Sequence, residues 1–209
     1  IKDVLGIGNK TGQPSVQDSL DKQVHSCAIH SINEVSNECI VFEAFGKSLE
    51  DTLKANKLPH NNATTIAETL AAYNTLLVPD VAYAMSIIHA SQRCYYGIEY
   101  VNVGWKSFEN LWTEGLGHIV EHCYKEPDIM HYLVLQNINL SYLPNFMQPL
   151  IDVQMGITGF LTNEKEYPAN LRILCTTSND AVLPMNEQCL KYIGCIEKTA
   201  KEVFVPRFK

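Results

Sequence analysis

The run His131-Tyr-Leu-Val-Leu constrains this chain more than any other stretch. It carries no in-out alternation and turns polar only at Gln136 and Asn137. A strand of that kind has to be covered on both faces, as in the middle of a parallel sheet. The stretch from Leu171 to Cys175 has the same character and ends in Thr176-Thr-Ser-Asn-Asp. Open α/β sheets bind ligands just past the carboxyl ends of such strands. Gln136, Asn137, Thr177, Ser178 and Asn179 are therefore the first candidate site residues.

Strand and helix patterns alternate around these two runs. A short strand over 75–78 is closed by Pro79-Asp80, and helical periodicity follows over 81–91. Further strands are expected over 98–103, 131–135 and 171–175, with helices over 108–124, 143–153 and 186–201 and a loop over 156–169. Strands separated by helices of this length imply βαβ units and a parallel sheet, with right-handed crossovers placing helices on both faces. The part before residue 75 reads differently. Gly6 to Pro14 is a loop, 38–45 a strand, and 48–57 and 65–73 helices. The expected organisation is a small N-terminal α+β extension over 1–74 and an α/β core over 75–209 without a clear lid domain.

Composition narrows the function classes. The net charge is −7 with only three arginines, Arg93, Arg172 and Arg207, whereas nucleic-acid binders usually carry a basic face. No apolar run reaches the roughly 18–20 residues that span a bilayer. The seven cysteines are scattered, odd in number and form no CxxC pair, which suits a reducing, cytoplasmic setting. His25, Cys27 and His30 lie close together but match no standard zinc spacing. The chain begins at Ile1 without a signal-peptide pattern and reads as a piece of something longer.

The order of elements, with VNVGW closing one strand, LVLQNIN another, and FMQPLID and YPANLRILCTTSND further on, resembles an AAA+ ATPase core. The similarity covers about 75–198 and is greatest to the branch of McrB-type and MoxR-type proteins. It implies a three-layer P-loop NTPase-like fold. The resemblance also locates departures. Where that branch carries a Gly-rich loop ending in Gly-Lys-Ser/Thr, this chain runs through Leu77-Val78-Pro79-Asp80 into a helix. The phosphate-cradling N–H groups, the lysine and the magnesium hydroxyl are missing. The family's Asp-Glu pair, which holds magnesium and orients water, corresponds here to Gln136-Asn137. The sensor position falls near Thr177, Ser178 and Asn179. What the resemblance implies is a remnant nucleotide site, no hydrolysis, and a surface suited to protein partners or self-association.

A different chemistry is written in His118-Ile-Val-Glu-His122, the H-x-x-E-H order of pitrilysin-type zinc peptidases. On a helix His118 and His122 share a face and both could reach one zinc, with Glu121 acting on its water. Glu197 lies in the range of that family's third ligand, but the Gly- and Asn-rich segment that should follow the motif is absent. The expectation carried forward is a catalytically inactive AAA+-like scaffold with no cofactor. ATP or GTP with magnesium, or zinc in a peptidase, are the alternatives.

Overall fold

The computed structural model describes residues 27–33, 42–60, 62–179 and 187–196. Its elements, in chain order, are β1 (His30–Asn33), α1 (Phe42–Ala55), α2 (Ala63–Ala72), β2 (Thr75–Leu77), α3 (Val81–Ala90) and β3 (Arg93–Tyr100). They continue with α4 (Phe108–Leu111), a π-helical turn (Trp112–Leu116), α5 (Gly117–Lys125), β4 (Met130–Gln136) and a 3-10 turn (Ile138–Leu140). The last are α6 (Leu143–Gln154), β5 (Leu171–Cys175), α7 (Glu187–Leu190) and β6 (Gly194–Cys195). The six strands form one sheet in the order β1-β3-β4-β5-β2-β6. Every pairing is parallel except that of β1 with β3.

β4 is central, and alternate residues along it feed two separate cores. Leu133 and Leu135 pack with Ile119, Val120, Phe146 and Leu150. Tyr132 and Val134 pack with Leu49, Ile66, Ile87 and Ile88. The division follows from chirality. From β2 the chain crosses β5 and β4 to reach β3, then returns in the opposite direction through β4 to β5. A right-handed crossover must place α3 on one face and α5 and α6 on the other, and the two clusters have that composition. The described part of the N-terminal region belongs to the same packing: Phe45, Leu49, Leu53 and Leu70 share a cluster with Val134 and Leu174.

Three expected elements are corrected. The strand expected over 38–45 is helical from Phe42, because Phe45, Leu49 and Leu53 recur at helical spacing and bury one face of α1; residues 38–41 lie outside the described part. The third strand runs earlier than 98–103. It begins at Arg93, straight after Gln92 turns the chain with φ 57°, and the chain leaves the ladder after Tyr100. The expected closing helix over 186–201 gives way, after a single helical turn, to β6 beside β2. Gly194 permits that approach: a Cβ there would lie 2.8 Å from Thr69 Cγ2 and 3.2 Å from the Tyr73 ring. The Gly6–Pro14 loop and residues 197–201 fall outside the described residues.

Leu133 is fully buried and held on one face by α5 and α6. Leu133→Ala should therefore destabilise the fold by about 2–5 kcal/mol, measured by urea unfolding. A loss below about 1 kcal/mol would contradict the two-sided burial of β4.

Candidate functional site

β2, β4 and β5 end at one level, since Cys175 pairs with both Leu77 and Leu135. The chain leaves β2 toward α3 on one face and leaves β4 toward α6 on the other. A sheet whose connections part in this way opens a crevice at its carboxyl edge, the topological switch point of α/β folds. Residues expected from the sequence meet at this edge. Val78 N–H still donates to Cys175 O at 2.8 Å, which carries Pro79 and Asp80 to the rim beside Thr176. Across it, Thr176 N–H donates to Leu135 O at 2.9 Å and Ile138 N–H donates to Thr176 O at 2.9 Å.

Each candidate has a definite local role. Asp80 is the N-cap of α3, its carboxylate accepting from Tyr83 N–H at 2.9 Å. An acidic cap suits the positive end of the helix dipole, so the N-terminal end of α3 is already supplied with an anion. Gln136 closes β4, and its carbonyl accepts from Val101 N–H at 3.0 Å. Asn137 takes φ 60° and ψ 42°, the left-handed conformation that asparagine tolerates, and starts the 3-10 turn. Ser178 is joined to Asn139 by two bonds. Asn139 Nδ2 donates to Ser178 O and Ser178 N–H donates to Asn139 Oδ1, both at 2.8 Å. Thr177 and Asn179 flank this pair and are exposed.

Sequence reasoning missed Asn139, because nothing in the chain marks which of two asparagines around Ile138 turns inward. The structure buries Asn139 and uses its amide to clamp the loop after β4 to the loop after β5.

The H-x-x-E-H residues lie at the other end of the sheet, along α5. His118 Nδ1 is 2.9 Å from Cys27 O, and Glu121 pairs with Lys165 at 2.6 Å. His122 Nδ1 is 2.8 Å from Nε2 of the fully buried His131, whose Nδ1 is 2.8 Å from Ile129 O. The Tyr95 ring meets His122 edge-on at 4.5 Å and stacks on His131 at 5.2 Å. Glu197 lies outside the described residues, as does His25. Among the described residues no group of three or more His, Cys, Asp or Glu side chains is placed to hold a metal ion. Nor is any helix among them long and apolar enough to cross a membrane.

With this geometry the chain defines a class: a mostly parallel α/β protein whose candidate polar residues gather at the carboxyl edge of its sheet. No family model and no curated protein matches it. Among solved structures it is similar to C. elegans PCH-2 at a TM-score of 0.33 and 12% identity, over 73% of this chain and 38% of that one. A likeness of that size leaves the function to be argued from the residues described above.

Burial gives His131 a distinct pH signature. Desolvation pushes its imidazole down to about 4, against an ordinary value near 6.5, and the neighbouring His122 is lowered for the same reason. Between those values the unfolded chain takes up a proton that folded His131 refuses. Its contribution to stability is full above about pH 6.5 and is lost as the pH falls toward 4. Urea unfolding at pH 7 and pH 5 should give the lower stability at pH 5, on the order of 1 kcal/mol per pH unit, and His131→Asn should flatten that slope. Equal slopes in the two proteins would contradict the assignment.

Proposed function

We propose that this chain is an AAA+-like α/β domain that does not hydrolyse nucleotide and serves as a scaffold or protein-interaction module. The observation that carries the reading is the connection between β2 and α3. Val78, Pro79 and Asp80 alone join the two elements, and the Asp80 carboxylate occupies the helix N-terminus. A phosphate placed there would find no loop of N–H groups and would face a like charge, which disfavours the contact.

Two further features support the same conclusion. Gln136 and Asn137 stand where magnesium and water would need carboxylates, and neutral amides neither neutralise magnesium nor activate water. The Asn139–Ser178 clamp turns polar groups of the loops after β4 and β5 toward each other. A parallel α/β core keeps its stability without a ligand site, because its central strands carry the packing. The McrB-like and MoxR-like affinity, the P-loop NTPase ancestry, the cytoplasmic setting and the division at residue 74 belong to this reading. Its partners are other proteins or further copies of the chain, with no nucleic acid bound by this domain.

The zinc-peptidase alternative is less well supported. Glu121 has to activate water in that reaction, and it is held by Lys165 instead. The purified protein should show no melting shift with millimolar ATP–magnesium, ADP or GTP and no phosphate release above background. A ligand present at 100 times its dissociation constant would add about 2.7 kcal/mol, enough to read as a clear shift. Saturable stabilisation by any of these nucleotides would sink the proposal.

A further inference from the structure

We infer that His118 and His122 form a two-imidazole site on α5 for a divalent cation of intermediate softness, such as zinc, nickel or copper. The two residues stand four apart on a helix and are therefore neighbours on its surface, each half-buried. What makes them a ligand pair is the state in which their rings are held.

The tautomers follow by elimination. A carbonyl oxygen only accepts, so His118 Nδ1, 2.9 Å from Cys27 O, carries a proton, and in the neutral ring the lone pair is on Nε2. His131 Nδ1, 2.8 Å from Ile129 O, is likewise the protonated nitrogen, so His131 Nε2 is an acceptor. His122 Nδ1 lies 2.8 Å from that acceptor and must donate to it, which leaves His122 Nε2 bare as well. The amide of Asn170 also approaches His131 Nδ1, at 3.3 Å, but spends its hydrogens on Ile129 O at 2.9 Å and Glu126 O at 3.1 Å.

Both rings thus donate from Nδ1 to a fixed acceptor and keep Nε2 unprotonated. That is the outer-shell arrangement by which proteins orient metal-binding histidines and raise their basicity. The edge-on Tyr95 ring further restricts His122. Imidazole nitrogen suits zinc, nickel and copper over magnesium or calcium. Glu121, between the two histidines, is engaged by Lys165, so water completes the coordination and the site binds a cation without a catalytic carboxylate. This differs from a peptidase centre in both ligand number and chemistry. A cation here would bridge two residues of α5 whose Nδ1 hydrogen bonds already tie that helix to the Cys27 segment and to His131 of β4.

The test uses zinc or nickel chloride with the full chain at pH 7.5, followed by calorimetry and thermal melting. The wild type should take up one cation saturably and melt higher. His118→Asn and His122→Asn keep a side-chain nitrogen donor where Nδ1 was, so their metal-free melting should hold, while each should bind at least tenfold more weakly. Paramagnetic nickel reads the same site in the wild type alone: in histidine-ring spectra, His118 and His122 should broaden before the other rings. Absence of saturable uptake by the wild type, wild-type affinity in both variants, or earlier broadening of another histidine would each overturn the assignment.

Discussion

Covering β4 on both faces is the constraint to which the rest of the molecule conforms. Leu133 and Leu135 need one layer of helices, and Tyr132 and Val134 need another. One helical layer cannot supply both. The chain meets the demand by running outward from β2 to β3 and back again, so right-handed crossovers distribute the helices. The parting of the chain at the carboxyl edge is a by-product of this path, because β2 and β4 send their chains to opposite faces. The ends of β2, β4 and β5 therefore share one edge whatever polar residues follow them.

What fills it is unlike a phosphate cradle. The capped start of α3, the left-handed Asn137 and the Asn139–Ser178 clamp are all interactions within the protein. The cap satisfies Tyr83 N–H and the clamp satisfies the N–H and carbonyl of Ser178, backbone groups that would otherwise need another partner. The polarity of the strand ends, which in a sequence suggests a ligand, is accounted for to a large extent by the loops' own hydrogen bonding. On the function proposed above, this edge keeps the position of a binding site without the donors and carboxylates that phosphate and magnesium require.

The legibility of these features tracks their physical origin. β4 and β5 stand out in the sequence because burial on both faces leaves an uninterrupted apolar run. α3, α5 and α6 stand out through their helical spacing. β3 does not, since Tyr95 and Tyr96 divide between the two faces and neither is fully buried. β6 is hidden because its position depends on the missing Cβ of Gly194 beneath Thr69 and Tyr73, a tertiary fact without local signature. Pro79, Asp80, Gln136 and Ser178 could be placed from strand ends alone. The inward turn of Asn139 could not, nor the burial of His131, which becomes affordable only once His122 and Ile129 O are brought to its two nitrogens.

On the proposed function, the carboxyl edge of the sheet offers no seat for a nucleotide. Amide chemical shifts during a titration with ATP–magnesium test it most directly, residue by residue. The amides of Val81 to Tyr83, Asn137 to Asn139 and Thr176 to Ser178 should stay in place up to millimolar nucleotide. Saturable shifts at these amides would contradict it, for they would mean that α3 and the clamped loops yield to a phosphate after all.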